Sequence, residues 1–172
     1  MLKVIHSIQE LAFSQLMSVY EESNTLNGQD KYPNASIYTQ LREAEQDFFQ
    51  YLSEVFFRQK SSFYEIWEEN EKYVSALRIE PYLDGLLLCA LETVPYARRK
   101  GYACQLISVV LQYLGDRGSG TLYSHVSKRN SASLNAHFQC GFRIIKDHAV
   151  YSDGSVLPDS YTLAYEYKKS ET

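Results

Sequence analysis

Residues 85–114 read GLLLCALETVPYARRKGYACQLISVVLQYL, and the order of their parts decides the fold. The near-continuous apolar run up to Val94 predicts a strand buried on both faces. Beyond the loop, Ala103, Leu106, Ile107, Val110, Leu111 and Leu114 recur at helical spacing, and DRGSG ends that helix. Between the two lie three cations, Arg98, Arg99 and Lys100, packed against Gly101. A buried strand that runs into a glycine-containing loop opening a helix presents outward-pointing backbone N–H groups and the positive end of the helix dipole, which suits an anion. Gly101 lets the backbone approach a ligand, Ala103 keeps the next approach point small, and Arg98 and Lys100 supply full charges. Alternatively, the three are solvated cations beside a helix start.

Working outward, TLYSHV (121–126) is the next strand, so residues 86–126 form a strand–helix–strand unit whose strands are parallel. Upstream, SFYEIW, YVSALRI and GLLLCALETV are three strands joined by short hairpins. LKVI (2–5) is a first strand. A helix then starts at Ser7 with Glu10 completing a capping box, and a second helix spans 37–57 with Ile37, Leu41, Ala44, Phe48, Leu52 and Val55 on one stripe. The polar, turn-rich segment ESNTLNGQDKYPNAS between them is expected to be a loop. Downstream, KRNSASLNAHFQCGF gives a short helix with Asn130 or Ser131 as N-cap and Gly141 as its stop. FRIIKDHAVY and SYTLAYEY are strands around the turn SDGS. The whole reads as one α/β (α+β) domain over residues 1–172. Its sheet is mixed and mostly antiparallel, with one parallel pair, flanked by about four helices.

Composition narrows the function. The net charge is −4, and Arg98–Lys100 is the only basic cluster, which argues against nucleic acid as the main partner. Cys89, Cys104 and Cys140 are odd in number, lack metal-ligand spacing and sit in apolar segments, so they read as small buried hydrophobes of a reducing compartment. The four histidines are scattered, with no His-x-x-x-His, and no metal is expected. The N-terminal residues lack the apolar run of a secretory signal, and no segment approaches membrane-spanning length, so a cytoplasmic location is expected.

The segment Pro95–Ala103 resembles the pyrophosphate loop of the GNAT superfamily of acyl-CoA-dependent N-acyltransferases, Arg/Gln-x-x-Gly-x-Gly/Ala, through Arg98, Gly101 and Ala103. A second motif of that family, Asn-x-x-Ala/Ser-x-x-x-Tyr-x-x-x-Gly-Phe, is similar to Asn130, Ser133, His137, Gly141 and Phe142, with His137 in place of Tyr. The resemblance covers essentially the whole chain, and the element order agrees with it. It implies an acetyl-CoA co-substrate in a V-shaped cleft between splayed parallel strands ending near Thr93 and Val126. Backbone groups of Leu91 and Thr93 would bond the pantetheine arm, and residues Arg98, Arg99, Lys100, Gly101, Tyr102 and Ala103 would hold the pyrophosphate. Asn130 and Ser133 would touch the cofactor from the other side. The sequence allows a homodimer.

Acyl transfer to an amine needs a neutral amine, an oxyanion donor and a proton for the departing thiolate. By the resemblance, the backbone near Leu91 is the oxyanion donor and His137 the proton donor; the alternative for His137 is a packed helix histidine. His125 is a candidate base, sharing a strand face with Tyr123, while Leu122 and Ser124 take the other. Alternatively, it is a hydrogen-bonded cross-strand partner. Glu92, an acid at the end of an apolar strand, is the third candidate, unless it faces solvent. His6 and His148 fit no constellation, and no Gly-x-Ser-x-Gly elbow is present. Two functions follow: an acetyl-CoA-dependent N-acetyltransferase acting on a primary amine, or a non-catalytic acyl-CoA-binding regulatory module. The first two helices, the segment 22–36 and the hairpin near 152–160 are expected to shape the acceptor pocket. No cation on the acceptor side is legible in the sequence.

Overall fold

The computed structural model describes residues 1–169. Strands β1 (Leu2–Ile5), β2 (Phe63–Glu69), β3 (Lys72–Tyr82) and β4 (Gly85–Thr93) form an antiparallel meander, and β5 (Gly120–Ser127) adds to β4 in parallel. β9 (Ser160–Tyr167) and the edge strand β6 (Arg143–Lys146) complete a seven-stranded sheet in the order β1-β2-β3-β4-β5-β9-β6. The expected mixed sheet with one parallel pair is therefore present.

Strand alternation sends successive side chains to opposite faces and makes two cores. On one face, Tyr64, Ile66, Val74 and Ala76 pack with Leu16, Leu52 and Phe56 from α1 (Phe13–Val19), α3 (Ile37–Glu54) and the turn after it. On the other, Phe63, Leu77, Ile79 and Leu88 meet Leu106, Ile107 and Val110 of α4 (Tyr102–Gly115). The apolar stripe predicted for α4 is its buried face.

Several expectations change. The first helix is split: a single 3-10 turn at Ile8–Glu10 precedes α1, and Glu10 Oε2 accepts the N–H of His6 at 2.9 Å instead of completing a capping box on Ser7. The segment expected to be a loop holds α2 (Glu21–Lys31). Its polarity hid it, because its buried positions are Asn24 and Gly28 rather than large apolar residues. Gly28 lies so close to α3 that a Cβ there would come within 2.4 Å of the Gln40 carbonyl oxygen. Lys31 and Tyr32 both bond Asp47 of α3, at 2.6 and 2.7 Å. With α5 (Ser131–Gln139), there are five α-helices among the described residues rather than about four.

The final hairpin is also divided: the SDGS turn joins a separate two-stranded ribbon, β7 (Ala149–Val150) with β8 (Val156–Leu157), while β6 pairs with β9. Ile37 and Val55, at the ends of the α3 stripe, are exposed. β4 is not buried throughout, only Leu87 and Leu88 being so, because its second half borders a cleft.

Candidate active site

That cleft exists because β4 and β5 stay paired over only three positions, Leu86–Leu88 with Leu122–Ser124. Beyond Leu88 the strands part. β4 is deflected by a bulge, where its register with β3 shifts between Ala76 and Arg78 and Ala90 takes φ 51°. The Tyr20 hydroxyl donates to the Ala90 carbonyl at 2.7 Å and holds the bulge from the helical side. The opening encloses about 540 Å³ between the second half of β4, the end of β5 and α5. Leu91, Glu92 and Thr93 form one wall.

At the end of β4, a 3-10 turn (Pro95–Ala97) leads into the cationic loop. Arg99 (φ 62°) and Gly101 (φ 84°) adopt left-handed conformations, and Gly101 is the N-cap of α4 with no side chain capping it. The first helical bond there is Gln105 N–H to Gly101 O at 3.0 Å, so the N–H groups of Tyr102, Ala103 and Cys104 precede the ladder. The Tyr102 side chain is turned inward, and its hydroxyl donates to Glu69. Arg98 is fixed: its Nε donates to the Thr93 carbonyl at 3.0 Å and its Nη2 pairs with Glu22 of α2. Arg99 and Lys100 are exposed.

On the opposite wall, Asn130 caps α5, its Oδ1 accepting the Ser133 N–H at 3.0 Å. His137 is buried at 1% exposure, edge-on to Phe142, with Nδ1 2.8 Å from the Ser133 carbonyl. A carbonyl only accepts, so in the neutral imidazole the proton sits on Nδ1 and Nε2 carries a lone pair. Nε2 has no hydrogen-bond partner, and the residue lines the cleft. Burial holds the His137 pKa below the ordinary imidazole value, against the opposing bond to Ser133.

His125 also lines the cleft, edge-on to Tyr82 and Tyr151, with neither ring nitrogen partnered and its pKa lowered by burial. Tyr123 shares its strand face but turns away, donating to Asp84 at 2.8 Å. Glu92 is half-buried, accepts the Ser23 hydroxyl of α2 and has its pKa raised, chiefly by burial. It stands where the cleft meets a second cavity of about 710 Å³ between α2, α3 and the sheet, a junction that Ser23 and Ala90 share. Glu92, His125 and His137 thus border one cleft, whereas His6 and His148 lie outside it. Among the described residues no cluster of His, Cys, Asp or Glu is placed to hold a metal ion.

Residues 16–142, well over half the chain, match the model of the acetyltransferase (GNAT) family. The chain belongs to that family. No curated protein matches this GNAT chain by sequence. Its fold is similar to the ribosomal-protein-S18-alanine N-acetyltransferase of Escherichia coli, with 18% identity, TM-score 0.61, and 99% of this chain and 97% of that one covered. It is also similar to the PaiA N-acetyltransferase of Thermoplasma acidophilum in complex with coenzyme A, with 13% identity, TM-score 0.65 and coverages of 97% and 99%. The spermidine N-acetyltransferase of Vibrio cholerae, in complex with CoA and spermine, gives 16% identity, TM-score 0.61 and coverages of 98% and 96%.

Sequence reasoning passed over two residues of this GNAT chain, Ser23 at the junction and Arg78 in the cavity beyond it. Ser23 was hidden in the segment read as a loop. Arg78 had a signal, as a lone cation inside the buried run YVSALRI. It lines the second cavity.

Proposed function

We propose that the protein is an N-acetyltransferase that transfers the acetyl group of acetyl-CoA to a primary amine of a small molecule or peptide by direct attack. The observation that carries this is the parting of β4 from β5 beyond Leu88, which leaves one edge of Cys89–Thr93 facing a cleft that reaches Arg98, three residues before the uncapped N-terminus of α4 at Gly101. A pantetheine arm fits the freed strand edge as an added strand would, through Leu91 and Thr93. A pyrophosphate fits the left-handed loop and the first N–H groups of α4. Two similar structures were solved with coenzyme A, which supports an acyl-CoA co-substrate here. Three free cysteines suit a reducing compartment such as the cytoplasm.

The thioester supplies the acyl carbon and the leaving sulfur; the protein's residues manage protons and charge. Glu92, whose pKa is raised by burial, takes a proton from the incoming ammonium. His125 faces the same cleft as a neutral imidazole and is the second base. The amine nitrogen bonds to the carbonyl carbon, and a backbone N–H near Leu91 steadies the oxyanion. As the carbon–sulfur bond breaks, the thiolate needs a proton. Because His137 is neutral with a lone pair on Nε2, we assign it a relay, taking the proton from the cationic nitrogen of the tetrahedral intermediate and passing it to sulfur.

Thiol release from acetyl-CoA in the presence of amines tests this. We expect turnover that Glu92→Gln lowers by about 100-fold or more with little change in the acetyl-CoA KM. Binding of acetyl-CoA without turnover on any amine would instead identify a non-catalytic acyl-CoA-binding regulatory module.

A further inference from the structure

The cavity beyond Glu92 has a charged wall that acyl transfer alone does not require. Arg78 of β3 has a side chain only 19% exposed, and its guanidinium carbon lies 5.0 Å from the Tyr51 ring centre and 5.9 Å from those of Phe48 and Phe56. Ring faces attract a guanidinium through their quadrupoles without using its N–H donors. Its one ion-pair contact among the described residues is Nε to Glu80 Oε2 at 3.4 Å, and Nε has no hydrogen-bond partner. Glu80 is itself engaged by the Tyr51 hydroxyl at 3.1 Å. A guanidinium held by rings, with its Nε donor unspent, is costly to keep out of water unless an acceptor meets it. A carboxylate matches the planar fork of a guanidinium in both shape and charge.

The remaining charges of the cavity favour a zwitterion over a polycation. Lys31 and Asp47 pair with each other at 2.6 Å, and Asp30 is exposed. Apart from the exposed Asp30, that leaves Arg78 and Glu92 as opposite, partly buried charges along one path. Glu92 is in register with Ala76, and Arg78 follows two residues later on the same face of β3, about 7 Å along the strand. A polyamine entering far enough to present its amine at Glu92 would bring further positive charge against Arg78.

We propose that the acceptor is an amine that also carries a carboxylate, of amino-acid type, with Arg78 holding the carboxylate and Glu92 receiving the amine. This rests on the acyl-transfer reading above and adds the substrate class.

The test is thiol release from acetyl-CoA by wild-type protein with free L-amino acids, β-alanine and 4-aminobutyrate. The comparison set is the corresponding amides, putrescine and spermidine. We expect kcat/KM for the best acid to exceed that of its amide by about 100-fold. Arg78→Met should bring the acid down to the level of the amide while leaving the acetyl-CoA KM unchanged, and Arg78→Lys should restore only part of the difference. The wild-type ratio stands even if a variant fails to fold. Amides or polyamines turned over as well as the acids would overturn the proposal and leave acyl transfer intact. If no amine is acetylated, thermal shifts in saturating CoA decide. Stabilisation by the acids but not by their amides would support the carboxylate site while acyl transfer fails, and no stabilisation by the acids would refute the site as well.

Discussion

Glu65 lies in the middle of β2, in register with Val4 on one side and Leu77 on the other, with no exposure and neither carboxyl oxygen hydrogen-bonded. Strand alternation puts it on the face of Phe63, Leu77 and Ile79, beneath α4. Burial alone raises its pKa from 4.5 to about 8. That difference of 3.5, at about 1.4 kcal/mol per pKa unit, makes ionisation in the folded protein about 5 kcal/mol harder than in the unfolded chain. The sign follows from linkage: between these two values the folded state binds more protons, so stability is greatest below pH 4.5 and declines as pH rises toward 8. At pH 7 the loss is about 3 kcal/mol, a large share of the stability of an ordinary domain. Glu65→Gln keeps the shape and removes the charge. Urea denaturation of both proteins from pH 5 to pH 8 should show the variant gaining steadily on wild type, by about 3 kcal/mol at pH 7. A difference that stays constant across that range, or a variant that loses ground at pH 8, would refute the reasoning.

Other outcomes follow from single contacts. Gly28→Ala places a Cβ 2.4 Å from the Gln40 carbonyl oxygen, so denaturation should show it destabilised by about 1–3 kcal/mol as α2 is pushed from α3. Asn130→Ala removes the cap on Ser133 N–H and should lower stability by about 1 kcal/mol, with only a mild effect on acetyl-CoA affinity. The rate of acetylation should rise with pH as Glu92 loses its proton, through a midpoint above the ordinary carboxylate value because burial raises its pKa, and Glu92→Gln should abolish that limb. Since burial lowers the pKa of both His125 and His137, both are neutral at pH 7.5, and a relay through His137 predicts no loss of rate between pH 7 and 8.

The strand–loop–helix at 85–114 was legible because each part obeys a local rule: an apolar run, a glycine needing positive φ and a 3.6-residue stripe. In α5 capping preference pointed to Asn130 or Ser131, and Asn130 caps the helix, whereas His137, which lines the cleft, was named only by the resemblance to the second GNAT motif. α2 was illegible because hydrophobic periodicity finds helices by their large buried residues, and this one packs through Asn24 and Gly28. The split of the last hairpin depends on β6 choosing β9 as its partner, a long-range pairing no local pattern encodes. Arg78 and Glu65 are charges inside strands, each visible as a break in pattern. Only the fold tells that one meets a cavity and the other a sealed core.

Acetyl-CoA binding tests the central claim most directly. Isothermal titration of wild type and Gly101→Glu with acetyl-CoA compares the loop proposed to take a pyrophosphate with one carrying a carboxylate where φ is 84°. The account predicts stoichiometric binding by wild type and its loss in the variant. Absence of binding by wild type, or equal affinity in both, would contradict it.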